Sequence, residues 1–585
     1  MSLQFIFGNS GSGKSHYLYQ QIVEESIRHP EKNYLVLVPE QFTMQTQKDL
    51  CMAHPRGGIM NIDVLSFGRL AHRVFEETGK ERQPILDDEG KNLVLRKIAG
   101  NYEDELTVLK GNLKKQGYIS EVKSVISEFT QYGIDFEQLD SFMEGLNSES
   151  YLYYKLKDIR KVYEGFEDYL HDKYITKEEL LDVLSQNVAE AKMLKDSVIA
   201  MDGFTGFTPV QNRLIGELLK VCDKIMLTVE IDRREDPFVY KHPYQLFALS
   251  KQMVTSLTEV AQEVKVEIDE PVWLCKNPPY RFKENPEMAF LEEELFRYSR
   301  RKYSGEKMQS ISLHEVHTPQ EEAQYVAEEI RRLVREEGYR YREIAVIASD
   351  LNTYADSLEK ACERYEIPVF MDHKKSILLN SFVEYLRSLL VMVEQNYTYE
   401  SVFRYLRTGL CGFTRDEVDR LENYCLALDL KGFKKWDQVW VRKTPMTKKE
   451  ELEELNQLRV RFVEKLTPLH TVLKKRRKTV KEITLAVYEY LVQEKIQEQL
   501  AELEQKFQEE GELALAKEYA QIYRIVLELF DKFVELLGEE EIPLKEYCEL
   551  LDAGLEEAKV GVIPPSLDQV VIGDVERTRS KISVH

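Results

Sequence analysis

The chain lacks the features that mark secreted, metal-clustered and membrane-embedded proteins. It has only seven cysteines among 585 residues, and no two of them form a C-x-x-C pair. Such a dispersed set predicts reduced thiols rather than disulfides or a metal cluster. No apolar run approaches the roughly 20 residues that cross a bilayer, and an apolar strand begins so early that no signal peptide fits before it. We therefore expect a cytoplasmic protein of bacterial type with no membrane partner.

Positive charge is also scarce, since 102 acidic residues face 80 basic ones and the formal net charge is −22. This balance argues against a protein that coats nucleic acid non-specifically. It is compatible with a local basic channel, because salt screens exposed charges beyond about 8–10 Å. The most basic run, Lys474–Lys478, is either a solvated helix end or loop, or a patch that contacts phosphates. The sequence leaves both interpretations open.

The most informative stretch that is present lies near the N-terminus and fits the pattern G-x-x-x-x-G-K-[ST]. An apolar strand precedes it and a helical pattern follows, which is the context that a phosphate-binding loop requires. Its glycines let backbone N–H groups point at phosphate oxygens, while the lysine reaches the β- and γ-phosphates and the final serine lies on Mg²⁺. The candidate nucleotide-binding residues are Gly8, Asn9, Ser10, Gly11, Ser12, Gly13, Lys14 and Ser15.

Apolar runs separated by helical patterns predict an α/β fold with parallel sheets that are covered on both faces. The length exceeds what one hydrophobic core supports, so several domains are expected. We expect a first domain at residues 1–75 and 190–285, interrupted by a helical insertion at 76–189. Its expected strands are Leu3–Phe7, Tyr34–Val38, Ile62–Leu65, Val198–Met201 and Ile225–Ile231.

A second α/β unit follows a charged connector that runs from Phe282 to Lys307. We expect this domain at residues 308–395 and 562–585, interrupted by a second helical insertion at 396–561. The last strand returns to the second sheet just before the sequence stops, so we expect an incomplete domain and an N-terminal piece of a longer protein. The expected strands are Ser310–Val316, Glu343–Ala348, Ile367–Met371 and Val570–Ile572.

Two sheet-forming units, each with a helical insertion, resemble the superfamily 1 helicases, which have two RecA-like P-loop domains. The chain more closely resembles the AddB (or RexB) family, the B subunits of AddAB-type ATP-dependent helicase–nucleases. The stretches that carry this resemblance are GNSGSGKS at Gly8–Ser15, VPEQFTMQTQ at Val38–Gln47, VLSFGRLAHRVF at Val64–Phe75, MDGFTGFTPVQ at Met201–Gln211 and VIGDVERTRS at Val571–Ser580. The resemblance covers essentially the whole chain, although the helical insertions carry little signature.

The resemblance implies an ATP- and DNA-binding subunit that acts with an AddA-type partner on double-stranded DNA ends and on single-stranded DNA. In this family the helicase-like core is regarded as an inactivated motor. It guides the single strand and recognises the recombination hotspot Chi while double-strand breaks are resected. The family's C-terminal half holds a nuclease site and the cysteines of an iron–sulfur cluster, and neither can be assigned to any residue of this chain.

The stretch Met201–Gln211 resembles the family's acidic metal-binding motif, which we call the acidic motif. Its residues indicate whether the core can hydrolyse ATP. A working motor has Asp-Glu at this point, where the Asp holds Mg²⁺ and the Glu activates the attacking water. Here the pair is Asp202-Gly203, so Asp202 can serve the metal but Gly203 has no side chain to act on water. The loss of a general base commonly costs about 10²–10⁴-fold in rate. Gln211 could couple ATP to DNA, and Glu40 is an alternative carboxylate, although it follows a different strand.

The arginines that reach the γ-phosphate in superfamily 1 motors also have no clear counterpart. No Asn-Tyr-Arg-Ser-like stretch occurs between Ile231 and Ser310, and the segment Arg297–Arg301 is a weak substitute. We therefore expect a chain that binds ATP with Mg²⁺ but hydrolyses it poorly or not at all.

Residues in or beside the DNA-facing motifs of the family are candidates for a single-strand groove, which combines basic residues with aromatic platforms. Each phenylalanine could equally be a core residue. The pair Trp436 and Trp440, flanked by lysines and arginines, fits either a basic-aromatic DNA patch or a buried helix face. The DNA-binding candidates are Phe42, Phe67, Arg69, Phe204, Phe207 and Arg213.

Two alternatives to this function remain open at this point. One is an autonomous ATP-driven helicase, which would need a catalytic carboxylate elsewhere in the chain. The other is an architectural partner with a vestigial phosphate loop. A small-molecule kinase fits poorly, because it gives the second α/β unit and the long helical insertions no role.

Overall fold

The computed structural model describes residues 1–79, 84–112, 117–171, 173–305, 308–371, 375–443, 449–560 and 568–575. Its first half alternates strands and helices around one long helical interruption. In chain order the elements are β1 (Ser2–Gly8), α1 (Lys14–Arg28), β2 (Tyr34–Leu37), α2 (Thr43–Ala53), β3 (Ile62–Leu65), α3 (Phe67–Thr78), β4 (Ile85–Leu86), α4 (Asp88–Asn101), α5 (Tyr118–Tyr132), α6 (Phe136–Glu144), α7 (Tyr151–Leu170), β5 (Ile175–Thr176), α8 (Leu180–Asn187), β6 (Val198–Met201), α9 (Pro209–Leu219), β7 (Lys224–Glu230), α10 (Ala248–Glu263), β8 (Glu267–Ile268), β9 (Val272–Trp273) and α11 (Pro286–Glu294).

The first sheet has seven parallel strands in the order β3-β2-β6-β7-β1-β8, with β9 also beside β1. Every residue of β2 and β6 is buried, as expected for strands that helices cover on both faces. Along β1, Leu3, Phe5 and Phe7 belong to one hydrophobic cluster, whereas Ile6 belongs to the cluster on the opposite face with α1. The five strands that we expected here are confirmed.

The second half contains a small sheet and a long series of helices. In chain order the elements are α12 (Pro319–Glu336), β10 (Ala345–Ala348), α13 (Leu351–Arg364), β11 (Val369–Met371), β12 (Lys375–Ser376), α14 (Ser381–Glu394), α15 (Tyr399–Leu406), α16 (Arg415–Leu428), α17 (Phe433–Asp437), α18 (Lys449–Leu473), α19 (Val480–Gln493), α20 (Ile496–Glu509), α21 (Leu513–Leu537), α22 (Leu544–Glu557), β13 (Lys559–Val560) and β14 (Val570–Asp574). Two two-stranded pairs, β4 with β5 and β12 with β13, accompany the seven-stranded and the three-stranded sheet.

The second sheet is parallel and has the order β10-β14-β11, so the last strand in sequence lies in the middle. The return of Val570–Ile572 to this sheet is therefore confirmed. Helices α12 and α13 pack against each other and bury Ile330, Leu358 and Ile572 in one cluster. Residues 576–580 of the VIGDVERTRS stretch, and the rest of the expected domain segment to residue 585, lie outside the described residues.

The strand that we predicted at Ser310–Val316 is wrong. This segment forms no strand, and Leu313 within it is 98% exposed. Its alternating pattern suggested a half-buried strand, but alternation makes a strand only where a neighbour pairs with it. His314 instead packs on Tyr325 of α12, with ring centroids 4.6 Å apart.

Helices from the two insertions and α14 share a single core, which we call the helical body: α4–α7 together with α14–α22. We expected α14, at Ser381–Glu394, in the second α/β domain, but its buried residues belong to this helical core. One hydrophobic cluster runs from Leu86 to Leu170 and continues from Ile377 to Ala558. Helix α4 contacts both α21 and α22 directly. By contrast, α8 packs on α3 and α9. It therefore belongs with the seven-stranded sheet and the helices that cover it, which we call the first sheet unit.

The remaining structural expectations concern cysteines and membrane spans. All seven cysteines are free thiols, as expected. Within the part of the chain that the structure describes, no helix combines the length and the apolar character that a membrane span requires.

Candidate nucleotide-binding site

The turn from β1 to α1 lies at the carboxyl edge of the first sheet. Gly11 has a φ of 73° and Gly13 a φ of 91°, a left-handed conformation that other residues rarely adopt. A side chain added to Gly13 would meet no atom within 4 Å, so the space beside it is open. Because α1 begins at Lys14, its unpaired N–H groups and the positive end of its dipole lie at this point. The turn therefore has the backbone geometry of an anion cradle.

Ser15 and Asp202, which we expected to share a metal ion, lie next to each other. The Ser15 hydroxyl donates a hydrogen bond to Asp202 Oδ1 over 3.1 Å. The hydroxyls of Tyr19 and Thr228 donate to the same carboxylate over 2.8 and 2.6 Å. Asp202 is only 2% exposed. Donors from α1 and β7 thus fix a buried carboxylate directly beside the start of α1.

These residues fit a nucleoside triphosphate with Mg²⁺. A hydroxyl and a carboxylate are oxygen ligands that Mg²⁺ accepts, and substrate phosphates and water complete its shell. Asn9 Oδ1 and Ser12 Oγ are buried in the loop without a hydrogen-bond partner in the described structure. Lys14 Nζ donates to the carbonyl oxygen of Asn9 over 2.9 Å. Among the described residues no group of three or more His, Cys, Asp or Glu could hold a metal, so an ion at this site would depend on the phosphates.

The segment 274–282 packs directly against the loop, and we did not predict it from the sequence. The backbone N–H of Arg281 donates to the Gly11 carbonyl over 3.0 Å. An added Cβ on Gly8 would lie 2.7 Å from the carbonyl oxygen of Leu274. An added Cβ on Gly11 would lie 2.8 Å from Arg281 Cβ. The close approach of this segment therefore explains glycine at both positions.

The segment 274–282 carries two exposed side chains, those of Tyr280 and Arg281, where its backbone bonds to the loop. Tyr280 is 69% exposed, and the Lys276 ammonium lies 5.4 Å from its ring centroid. Arg281 is exposed, and its guanidinium has no hydrogen-bond or ion-pair partner among the residues that the structure describes. The available sequence signal was the Tyr-Arg pair itself, but it lacks the flanking Asn and Ser for which we searched.

Two carboxylates lie at the carboxyl edge of the first sheet as well: Glu292 on α11 and Asp232, which follows β7. Glu292 accepts a hydrogen bond from Asn9 Nδ2 over 2.8 Å. Burial raises the pKa of Glu292, and the hydrogen bond from Asn9 opposes this rise only in part. Burial alone would also raise the pKa of Asp232, but hydrogen bonds from Arg234 and Arg297 outweigh it and lower that pKa to about 2.

Two arginines of the Arg297–Arg301 segment are engaged within the first sheet unit. Arg297 donates to Asp232 over 3.0 Å, and Arg301 forms ion pairs with Glu293 and Glu294. Neither guanidinium is therefore free in this structure to act as the substitute phosphate ligand that we considered.

The other residues of the acidic motif have defined places. Gly203 has a φ of 83°, so a side chain there would be strained. The Gln211 side chain accepts from the Thr208 N–H over 2.9 Å and caps α9 in a reciprocal capping box. Glu40 is exposed in a short turn after β2. The Asp202 N–H donates to the carbonyl of Leu37 on β2, so Glu40 lies at the same sheet edge as the acidic motif.

Three of the DNA-binding candidates form one aromatic group. The ring centroids of Phe67 and Phe204 are 5.4 Å apart, and those of Phe204 and Phe207 are 5.1 Å apart. Phe67 is buried, whereas Phe204 and Phe207 are partly exposed at the margin of the core. Phe42 is likewise partly buried, against the cluster on the α1 face.

The two candidate arginines are both exposed. Arg69 follows Phe67 on the first turn of α3, and its guanidinium has no partner within the described residues. Arg213 forms an ion pair with Asp182 over 3.4 Å. Arg69 is therefore the candidate cation whose charge is unneutralised within the described residues, and it is on the same helix as Phe67.

The basic-aromatic stretch around Trp436 is a packing feature. Trp436 is 1% and Trp440 5% exposed, and both belong to the core of the helical body. Helix α17 ends at Asp437, so the two indoles do not share a helix face. In the run Lys474–Lys478, Lys478 is buried and Arg477 lies 3.9 Å from Glu541.

Comparison with known proteins matches two family models in succession. Residues 5–292 match the model described as ADDB, N-terminal, and residues 284–560 match the UvrD-like helicase C-terminal domain. Proteins named as the B subunit of an ATP-dependent helicase/deoxyribonuclease are similar along 99% of the chain. The one from Lachnoclostridium phytofermentans is 42% identical over 51% of its own length, and the one from Clostridium novyi is 34% identical over 50%. The chain therefore spans about half the length of the curated relatives it matches.

Proposed function

Because this chain belongs to the AddB family of ATP-dependent helicase/deoxyribonuclease B subunits, we propose that it binds ATP with Mg²⁺ and guides single-stranded DNA in a helicase–nuclease. The complex would resect double-strand breaks for homologous recombination, and its second subunit would be an AddA-type helicase–nuclease. The domains that match ADDB and UvrD-like models would be two RecA-like units, of which the first holds the nucleotide.

The observation that carries this proposal is the contact between Ser15 and Asp202 beside an open glycine cradle. A vestigial loop has no need to keep a hydroxyl and a buried carboxylate 3.1 Å apart. Arg281, whose backbone N–H bonds to the Gly11 carbonyl, adds an exposed cation on the segment that packs against the loop. This arrangement favours a binding role over a purely architectural one.

Hydrolysis by this chain would be slow, since Gly203 occupies the position of the usual catalytic glutamate. An inactivated motor retains a groove along which a strand can be scanned, including for a Chi-type sequence. The exposed guanidinium of Arg69 and the margin of the Phe204–Phe207 group supply a cation and aromatic faces of the kind that bind single strands.

The nucleotide-binding proposal is tested with Lys14→Ala and Ser15→Ala. Titration with a fluorescent ATP analogue should show affinity at least about 100-fold weaker for Lys14→Ala, because the lysine meets two phosphates. Ser15→Ala should lose affinity only in the presence of Mg²⁺. Lys48→Ala is the matched control, since Lys48 is an exposed lysine on α2 of the same unit. Unchanged binding by Lys14→Ala would favour the architectural alternative.

The DNA-guiding proposal is tested by anisotropy with a labelled single strand. Arg69→Ala should weaken binding several-fold at low salt and flatten its salt dependence. Arg73→Ala on the same helix is the control, because Arg73 is already ion-paired with Asp63 over 3.0 Å. An equal effect of both variants would show a general charge effect instead of a site. Strong DNA-stimulated ATP turnover by the isolated chain would favour an autonomous helicase.

A further inference from the structure

Strand β7 places its last residue beside the phosphate loop. It lies between β1, which leads into that loop, and β6, which leads into the acidic motif. In the parallel register of β1 and β7, Glu230 is opposite Gly8, the first residue of the loop. The Ile231 N–H donates to the Gly8 carbonyl over 3.0 Å, which continues this register past the strand.

The side chain of Glu230 emerges on the face of the sheet that bears the site. Successive side chains of a strand alternate between faces. Two residues earlier on β7, the Thr228 hydroxyl donates to Asp202 over 2.6 Å. Met226, two residues earlier again, belongs to the cluster on the α1 face. Glu230 is therefore the next residue on the Asp202 face, one step closer to the carboxyl edge.

The carboxylate of Glu230 is available for chemistry. Glu230 is exposed, and within the described residues no hydrogen bond or ion pair engages its side chain. Its negative charge contributes to the raised pKa of Glu292, whose oxygen accepts from Asn9 in the loop. Glu230 thus lies within electrostatic reach of a residue that touches the loop.

Two other carboxylates are less well placed. Glu40 follows β2, which is separated from β1 by both β6 and β7. Glu292 is already hydrogen-bonded to Asn9, and burial favours its neutral form. Glu230 combines an adjacent strand, the correct face and a free carboxylate.

We propose that Glu230 is the carboxylate that accepts a proton from the attacking water when this chain hydrolyses bound nucleoside triphosphate. The water oxygen bonds to the γ-phosphorus, and the bond from that phosphorus to the β–γ bridging oxygen breaks. The bridging oxygen leaves with the electron pair as ADP, and the water proton passes to Glu230. The base would thus come from the strand next to the acidic motif, where Gly203 supplies no side chain. This inference rests on nucleotide binding at the proposed site.

The test compares Glu230→Gln with Glu40→Gln and with Glu263→Gln, an exposed glutamate of α10, in the full chain. Glu230→Gln should bind the fluorescent ATP analogue within about twofold of the unaltered chain. Its single-turnover phosphate release should fall by about 10²-fold or more, as for loss of a general base. Its capture of ADP with aluminium fluoride, which mimics the transferring phosphoryl group with its attacking oxygen, should weaken as well. The other two variants should retain both properties.

The outcomes separate this inference from the proposed function. If the unaltered chain binds no nucleotide, the proposed function fails and the role of Glu230 fails with it. If it binds nucleotide but releases no phosphate above the uncatalysed rate, only the role of Glu230 is overturned. The same holds if Glu230→Gln releases phosphate and captures the fluoride complex like the unaltered chain. Retention of part of the activity by Glu230→Asp would support a proton-accepting carboxylate.

Discussion

The first sheet unit and the helical body bury their apolar residues in different ways. The sheet unit encloses its own two clusters, one on each face, and presents its polar groups at one edge. The helical body draws one core from two stretches that are separated by the strands of both sheets. Residues of the candidate site thus belong to one unit, whereas the contacts that join the two halves of the chain belong mainly to the other.

Charged contacts reinforce the junction within the helical body. Lys532 of α21 forms ion pairs with Asp87, over 2.5 Å, and with Glu89. Arg96 of α4 pairs with Glu549 of α22 over 3.1 Å. If the first sheet unit carries the site and the helical body joins the two halves of the chain, substitutions at this junction should change stability without changing nucleotide affinity. Substitutions at the sheet edge should do the reverse.

The largest effect is expected from Gly554→Ala on α22. An added Cβ would lie 2.6 Å from Leu529 Cδ1, a buried side chain of α21. Overpacking of this kind costs about 1–3 kcal/mol in the free energy of unfolding, measured by urea denaturation. Gly100→Ala on α4 is the matched control. An added Cβ at this exposed helical glycine meets nothing within 4 Å, so it should stabilise by about 0.5–1 kcal/mol.

Lys532→Met should have the next largest effect. Removing the ammonium leaves Asp87 and Glu89 facing each other at a partly buried junction. We expect a loss of about 1–2 kcal/mol, between the values for exposed and buried ion pairs. Lys517→Met, at an exposed lysine of the same helix, should be nearly neutral. A change in the ATP affinity of Lys532→Met would contradict the view that the helical body and the nucleotide site are energetically independent.

Thr228→Val changes a residue of the first sheet unit, on β7. The variant removes one of the three hydroxyls that hold the Asp202 carboxylate. Affinity for the Mg²⁺–nucleotide complex should fall about tenfold, equivalent to about 1.4 kcal/mol, while affinity measured with EDTA should stay the same. Thr258→Val is the control, since its hydroxyl bonds only to the Val254 carbonyl of its own helix in the described structure. Equal behaviour of the two variants would contradict a metal-positioning role.

The smallest effect is a pH dependence carried by Glu167 on α7. Burial, with help from Glu179 and Asp168, raises the pKa of Glu167 from 4.5 to about 7. Because the folded state binds the proton more tightly, this contribution to stability is complete below about pH 4.5 and is lost as the pH rises through 7. Glu167→Gln should therefore be more stable than the unaltered chain at pH 8 and indistinguishable at pH 4.5. A shift of this size corresponds at most to about 3.4 kcal/mol. Because Glu167 is partly exposed, solvent screening reduces the expected difference to about 1 kcal/mol. Asp168→Asn, at the exposed neighbour, should show a smaller pH-dependent difference.

Local patterns were enough to predict the first sheet and the glycine-containing turn after β1. Continuous apolar runs such as Tyr34–Leu37 specify buried parallel strands, and the glycine spacing specifies the loop. The pairing of Ser15 with Asp202 followed from the family resemblance. It could not come from periodicity, because the two residues are on elements that meet only once the sheet has formed.

Features that depend on a partner could not be predicted in this way. Helical periodicity indicates that α4 has a buried face, but it does not say that the face lies on α21 and α22. The alternation at Ser310–Val316 indicates possible strand pairing without supplying a neighbour. The place of Glu230 required the strand order, since only that order puts the end of β7 beside Gly8.

The central position of β14 in the second sheet has a consequence for biosynthesis. Within the described residues, neither β10 nor β11 pairs with the other, and each pairs with residues 570–574. During translation, the backbone groups of β10 and β11 have no strand partner until the helices that precede β14 have been synthesised. Such unpaired edges invite intermolecular pairing. Early folding of the intervening helices would hold β10 and β11 close together, so that β14 could pair with both soon after its synthesis.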